Sequence, residues 1–173
     1  VPPHDGLIDI AFEIIPLHDA RGVILNSVSN VLVIASSHIL FAIDINMSLK
    51  NCSFVCNAFD DVFQVSSVFV GDYNVYNLLS SISIAKAIGI STEIIQKSIK
   101  NIKNVAGRWE VFDFKNNNKV IVDYANTPDG FDKVLSLVKS LRKGRIIVLF
   151  GCVGYSNALK RKQMGDIVKK YAD

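Results

Sequence analysis

The sequence predicts an α/β protein in two parts: short strands followed by two helices, and then the start of a doubly wound domain. Three observations predict this fold. Short apolar runs separated by polar turns dominate residues 1–70. Apolar residues then recur at helical spacing from Asn74 onwards. After Gly107, the order is strand, strand, helix, apolar strand, glycine turn and helix, as at the start of a doubly wound sheet.

The first 70 residues contain five apolar runs of strand length, and each is bounded by polar or glycine-containing turns. The predicted strands cover residues 22–26, 31–35, 39–43, 53–56 and 62–65. The last two form a predicted hairpin across a polar loop. Two helices follow, at 74–86 and from Thr92 through Ile102; Gly89 ends the first, and Ser91 is the predicted N-cap of the second.

The second part begins with predicted strands at 107–114 and 119–124, joined by a turn in the asparagine run 116–118. A helix over 130–141 comes next, with Thr127 as N-cap and Pro128 at the first helical position. Residues 145–150 are wholly apolar after Arg145, which is typical of a buried parallel strand. A final helix is predicted over 159–171.

Composition and charge exclude several classes of protein. The 173 residues (19.1 kDa) are 50% hydrophobic and 20% charged, with a mean hydropathy of +0.31, which is too apolar for a disordered chain. The net charge of +3 is small and spread along the chain, so we expect no nucleic acid partner. No apolar run reaches the roughly 20 residues that span a bilayer, and no signal peptide is visible, so we expect no membrane association. The first residue is Val1, in a Pro-Pro context, so we expect a piece of a longer protein.

Three cysteines, Cys52, Cys56 and Cys152, are too few and too unevenly placed for a disulfide framework. Cys52 and Cys56 have a C-x3-C spacing that occurs in some zinc sites, but no second Cys or His pair lies near them. Buried thiols are therefore favoured over a metal site.

Four segments, in order, resemble motifs of the Mur ligase family. They are Gly-Asp-Tyr-Asn-Val-Tyr-Asn-Leu-Leu at 71–79, Gly-Arg-Trp-Glu at 107–110, Val-Asp-Tyr-Ala-Asn-Thr-Pro-Asp at 122–129, and Val-Leu-Phe-Gly-Cys-Val-Gly at 148–154 with Lys160, Arg161, Met164 and Gly165 after it. The last two segments are most similar to the members that add the third amino acid to the peptide of peptidoglycan. Residues 1–70 match only loosely.

The resemblance implies a domain organisation and an activity. Residues 1–106 would be the C-terminal portion of the central ATPase domain, and residues 107–173 the N-terminal portion of a Rossmann-like C-terminal domain. The family uses ATP and Mg²⁺ to convert a carboxylate into an acyl phosphate, which an amino group then attacks. The implied partners are a UDP-N-acetylmuramoyl dipeptide and an amino acid, and the implied protein is a cytoplasmic monomer.

The same resemblance assigns candidate site residues, while the catalytic residues stay unknown and no metal ligand is recognised in this chain. The ATP-binding candidates are Asn74, Asn77, Arg108, Asp123 and Asn126, and the substrate-binding candidates are Lys160 and Arg161. Four of these residues could instead have purely structural roles. Asn74 could cap a helix, Asp123 could cap the turn that follows it, and the two cations could lie on a solvated helix start.

Departures from the family pattern keep a second hypothesis open. Asn126 replaces a histidine, Val153 a glycine, and Ser156 an arginine that would bind the carboxylate of the incoming amino acid. The chain contains no G-x-x-G-K-[ST] phosphate loop, so we expect no turnover from it alone. It is predicted to be part of a ligase; the alternatives are a degenerate, non-catalytic binding module or another Mur or folylpolyglutamate-type ligase.

Overall fold

A computed structural model describes residues 31–35, 38–59, 61–152 and 158–173. The strand predicted over 22–26 lies outside these residues. The chain divides into two compact units, residues 1–103 (unit 1) and 104–173 (unit 2), and each is described by itself. The mixed α/β class predicted from the sequence is confirmed. No helix among the described residues is both long and apolar enough to cross a membrane.

Unit 1 contains a four-stranded antiparallel sheet in which each strand pairs with the next along the chain. Its strands are β1 (Val31–Ala35), β2 (His38–Met47), β3 (Cys52–Ala58) and β4 (Asp61–Ser67). Three of them are longer than the apolar runs that predicted them, because residues beyond those runs continue the ladder. Side chains in β3 alternate between buried and half-buried, as the two-residue period of a strand requires when one face meets a core.

Two helices follow the sheet in the described part of unit 1: α1 (Asp72–Ala87), which contacts β1, β2 and β3, and α2 (Thr92–Asn101), which contacts β4. Helical spacing places the apolar residues of α1 on one stripe, and that stripe forms the core with the sheet. The buried residues of α1 in this core are Val75, Leu78, Leu79 and Ile82. Gly89, with φ of 82°, ends α1 as predicted. Ser91 occupies the N-cap position of α2 but makes no side-chain capping hydrogen bond.

Unit 2 begins with an antiparallel hairpin of β5 (Glu110–Asp113) and β6 (Lys119–Val122). The connection contains a short 3₁₀ turn at Lys115–Asn117 rather than a plain hairpin turn, and Asn116 and Asn117 have positive φ. Two helices follow, α3 (Pro128–Leu141) and α4 (Ala158–Tyr171), and they pack against each other. Their shared core contains Phe131, Leu135, Met164 and Tyr171.

The strand predicted over residues 145–150 is wrong: this segment is not a strand in the structure. The hydrogen bonds of Ile146 go to Asp173, whose carboxylate accepts the Ile146 N–H (2.9 Å) and whose own N–H donates to the Ile146 carbonyl (3.0 Å). Among the described strands, β6 pairs with β5 alone. An apolar run of this kind becomes a strand only beside a partner ladder, and without one Leu149 is 98% exposed.

Candidate functional site

The candidate residues of unit 1, Asn74 and Asn77, lie in the first two turns of α1. Gly71, with φ of 109°, occupies the N-cap position, and its carbonyl accepts the N–H groups of Asn74 (2.9 Å) and Val75 (3.2 Å). The Asn74 amide donates to the Val70 carbonyl at 2.8 Å, and the Asn77 amide donates to the Asn74 side-chain oxygen at 3.3 Å. Asn74 therefore stabilises the entry to the helix, and Asn77, which is exposed, is the more accessible of the two.

A constrained turn in unit 2 carries Arg108. Gly107 has φ of 71°, and its N–H donates to the Glu110 carboxylate at 2.9 Å. The Arg108 N–H donates to the Val105 carbonyl at 3.0 Å. The next residue, Trp109, is 3% exposed and has φ of 46°, a conformation that is uncommon for a bulky side chain. These contacts fix the backbone on both sides of Arg108, whose side chain is exposed.

Asp123, directly after β6, holds this turn against the hairpin. One carboxylate oxygen accepts the Trp109 N–H at 2.8 Å, and the other accepts the Ala125 N–H at 2.7 Å. The contact with Ala125 is the turn-capping role that the sequence left open. Each carboxylate oxygen can accept more than one hydrogen bond, so this role leaves acceptor capacity for a ligand.

Sequence reasoning missed Tyr124 and Trp109 as parts of this site. The Arg108 guanidinium lies 4.8 Å from the centre of the Tyr124 ring, a cation–π contact, and Tyr124 is 65% exposed. The only available signal was the presence of an aromatic residue beside Asp123, and nothing in the sequence indicated which residue it would contact.

The segment between Asp123 and α3 contains Asn126, which is exposed. Thr127 is the N-cap of α3 as predicted: its hydroxyl accepts the Gly130 N–H at 3.1 Å, and Pro128 begins the helix. A Cβ atom on Gly130 would lie 3.1 Å from the Thr127 hydroxyl oxygen, so this close approach favours glycine. Asn126 is thus placed just before a helix N-terminus, where backbone N–H groups favour anions.

Lys160 and Arg161 lie in the first turn of α4; Lys160 is half-buried and Arg161 is exposed. The preceding residues 153–157, which include the substituted positions Val153 and Ser156, lie outside the described residues. Of the glycine turn, Gly151 and Cys152 are described, and the Cys152 thiol lies 3.8 Å from the Met164 sulfur. The candidate residues of unit 2 thus come from two places, the Arg108–Asn126 region and the start of α4.

The two cysteines of β3 are buried thiols, as expected. Burial raises the pKa of Cys52 to about 11, with a smaller contribution from the charge of Asp72. Burial also raises the pKa of Cys56 to about 12, opposed in part by the charge of Lys86. Across the part of the chain that the structure describes, no three His, Cys, Asp or Glu side chains are grouped as metal ligands would be.

Comparison with known proteins places these motifs in one family. Residues 107–173 match the family model described as Mur ligase, glutamate ligase domain. Residues 107–173 belong to the Mur ligase family. The chain is 36% identical over 130 residues to UDP-N-acetylmuramoyl-L-alanyl-D-glutamate–2,6-diaminopimelate ligase of Syntrophomonas wolfei, covering 75% of this chain and 27% of that protein.

The chain is also similar to a second relative in sequence and to a solved structure in fold. The ligase of the same name from Alkaliphilus oremlandii is 37% identical over 134 residues, covering 78% of this chain and 28% of that protein. The crystal structure of MurF from Acinetobacter baumannii has a TM-score of 0.64 at 21% identity, covering 75% of this chain and 28% of that one, and shows the shared fold. The chain therefore spans less than a third of the length of these Mur ligases.

Proposed function

We propose that the chain is part of a cytoplasmic, ATP-dependent ligase that adds the third amino acid to a UDP-N-acetylmuramoyl dipeptide in peptidoglycan synthesis. The observation that carries this proposal is the pair of hydrogen bonds that Asp123 accepts from the Trp109 and Ala125 N–H groups. Two of the three residues that the family pattern assigns to ATP in unit 2 are thereby linked, because Asp123 accepts the N–H of Trp109, the residue next to Arg108. The names of the curated relatives support the choice of the third-residue ligase.

The reaction would begin with transfer of a phosphoryl group from ATP to a carboxylate of the dipeptide, and an amino group would then displace phosphate from the acyl phosphate. The role of the protein is to orient the nucleotide and to offset negative charge. In unit 2, the Arg108 guanidinium would donate to the oxygens of ATP, and Asp123 would accept hydrogen bonds from the ribose hydroxyls. Asn126 would offer its amide near the start of α3.

Unit 1 would contribute the adenine contacts. Asn77 is exposed and uses one of its donors on Asn74, so its remaining donor and its side-chain oxygen can meet a base edge. Asn74 would orient the Asn77 side chain by accepting the hydrogen bond from its amide. We propose that residues 1–106 are the C-terminal portion of the central ATPase domain, and that residues 107–173 begin the Rossmann-like domain of a monomeric enzyme.

Lys160 and Arg161 are the proposed contacts for the anionic peptide substrate. Two cations at a helix start are opposed by the helix dipole, which favours an anion beside them. Among the described residues no three His, Cys, Asp or Glu side chains are grouped, and we propose that the Mg²⁺ the family uses is held by ligands outside this chain. A degenerate, non-catalytic binding module is the second candidate, favoured by Asn126 and Ser156 in place of the family's histidine and arginine.

Calorimetric titration of ATP into the chain tests the proposal. Arg108→Ala should weaken binding, whereas Lys133→Ala, which removes an exposed cation paired with Asp129, should leave it unchanged. A loss of binding in Gly154→Ala with Arg108→Ala unaffected would move the site to the glycine turn. Absence of ATP binding to the unaltered chain would contradict the proposed nucleotide site.

A turnover assay addresses the activity itself. Because the chain has no phosphate loop, we expect it to release no phosphate from ATP in the presence of the UDP-linked dipeptide and amino acid. Phosphate release above a blank would show that another group positions the γ-phosphate. A longer form carrying a phosphate loop should be active if the chain belongs to a ligase, and inactive if it belongs to a binding module.

A further inference from the structure

The small net charge of the chain conceals opposite charges on its two units. Unit 1 has 6 Lys and Arg against 9 Asp and Glu, a net charge of −3, whereas unit 2 has 13 against 7, a net charge of +6. The sequence-wide value of +3 therefore understates how basic unit 2 is. A basic unit raises the local concentration of anions around it.

Much of this charge lies at one end of unit 2, where α3 and α4 terminate. A pocket of about 490 Å³ there is lined by Arg142, Lys143, Gly144, Arg145 and Asp173, and is called the basic pocket below. Lys139 in the last turn of α3, and Lys169 and Lys170 in the last turn of α4, add three more cations near the helix ends. The four charged side chains that line the pocket carry a net charge of +2.

Helix dipoles explain only some of these cations. Lys139, Lys169 and Lys170 lie where a helix C-terminus favours positive charge, and Lys170 is also paired with Asp132 at 3.0 Å. Lys143 and Arg145 lie beyond the end of α3 and are exposed. The described residues provide no carboxylate partner to either of them, since Asp173 is engaged by Arg142 at 2.7 Å and by the Ile146 N–H.

We propose that the basic pocket binds the phosphate group of an anionic ligand. Lys143 and Arg145 would donate to the phosphate oxygens, and Arg142 would add charge while it stays paired with Asp173. An excess of two positive charges fits a doubly charged phosphate better than a single carboxylate. The Arg142–Asp173 ion pair and the hydrogen bonds between Ile146 and Asp173 hold the two segments that line the basic pocket next to each other.

This site is separate from the proposed ATP contacts of unit 2. Asp123 and Asn126 precede α3, whereas Arg142 caps its other end. A helix of this length extends about 21 Å at 1.5 Å per residue. The basic pocket would therefore hold a phosphate that does not belong to an ATP molecule bound at Asp123.

Titration of the whole chain with inorganic pyrophosphate tests the proposal. We expect binding that weakens as salt is added, and a dissociation constant about tenfold higher in Lys143→Gln/Arg145→Gln. The control, Lys133→Gln/Lys162→Gln, loses the same charge from exposed sites on α3 and α4 and should bind like the unaltered chain. Titration of ATP into Lys143→Gln/Arg145→Gln should match that of the unaltered chain, because the proposed ATP contacts lie at the other end of α3, and this separates the result from that of the ATP experiment.

A vesicle experiment identifies the source of the phosphate group. Sedimentation with phosphatidylcholine vesicles, with and without phosphatidylglycerol, asks whether a lipid headgroup is bound. If the Lys143→Gln/Arg145→Gln variant loses binding to pyrophosphate alone, the ligand is a free phosphate compound. If the variant loses binding to phosphatidylglycerol vesicles, the ligand is a membrane lipid. The proposal is overturned if the unaltered chain binds neither probe, or if the two double variants weaken binding equally.

Discussion

The carboxylate of Asp123 accepts the backbone N–H of Trp109 at 2.8 Å, across a separation of 14 residues. The same carboxylate accepts the N–H of Ala125 at 2.7 Å, so one side chain joins the start of β5 to the end of β6. This link holds Trp109 in its left-handed conformation and places Arg108 beside Tyr124. A residue proposed to bind ribose thus also maintains the turn that carries the proposed arginine.

Asp123→Asn should destabilise unit 2 by about 1–3 kcal/mol, because an amide supplies one acceptor oxygen where two N–H donors need one each. Urea unfolding followed by tryptophan fluorescence measures this directly, since Trp109 is the single tryptophan of the chain and is buried. Asp129→Asn is the control: it removes an exposed carboxylate paired with Lys133, and should cost less than about 0.5 kcal/mol. Equal losses in the two variants would show that the Asp123 link adds no stability.

Local patterns in the sequence predicted most helices and strands of the fold. They could not predict contacts between residues that are far apart in the sequence. Thr127 and Pro128 at the start of α3 and Gly89 at the end of α1 are signals contained within a few residues, and the structure agrees with them. The segment 145–150 was predicted wrongly because an apolar run shows burial tendency but not the neighbouring strand that must pair with it. The Arg108–Tyr124 contact depends on the Asp123 link, which spacing cannot reveal.

The effect of Gly130→Ala on stability should change sign when Thr127 is replaced. A new Cβ atom would lie 3.1 Å from the Thr127 hydroxyl oxygen, so we expect a loss of stability in the native background. Without that hydroxyl, in Thr127→Ala, the same substitution should stabilise by about 0.5–1 kcal/mol, because alanine favours a helix. Thr127→Ala alone should cost about 1 kcal/mol through loss of the cap.

A double-mutant cycle measured by urea unfolding gives the coupling between Thr127 and Gly130. The matched control is Gly165→Ala within α4, where a new Cβ atom meets no other atom within 4 Å, so it should stabilise in either background. If Gly130→Ala stabilises the native background as much as Gly165→Ala does, the close approach to Thr127 carries no strain.

Unit 1 should lose stability in acid through Asp61. Hydrogen bonds from Lys86 first, and then from Thr92, lower the pKa of Asp61 below its ordinary value of about 3.9. Since the folded pKa lies below the unfolded one, the carboxylate contributes stability above about pH 4, and this contribution is lost as pH falls through the folded pKa. Lys86→Met should therefore lower stability at neutral pH and flatten its dependence on acid.

Circular dichroism melting across the acid range measures this dependence, since the helices α1 and α2 dominate the signal of unit 1. Lys97→Met is the control, because Lys97 is exposed on α2 and makes no ion pair with any described residue. It should keep the acid dependence of the unaltered chain. A Lys86→Met variant with the same pH profile as the unaltered chain would show that the contact with Asp61 is not coupled to folding.

Thiol labelling should distinguish Cys152 from the two cysteines of β3. Cys52 and Cys56 are fully buried, and burial raises their pKa values to about 11 and about 12, so at pH 8 about one thiol in a thousand or fewer would be the reactive thiolate. Cys152 is half-buried and should react first with an aromatic disulfide reagent. We expect one fast thiol in the native chain and three in denaturant, and Cys152→Ser should abolish the fast phase. Persistence of a fast phase in that variant would mean that β3 opens readily, and the core formed by α1 and the sheet would then be less stable than its packing indicates.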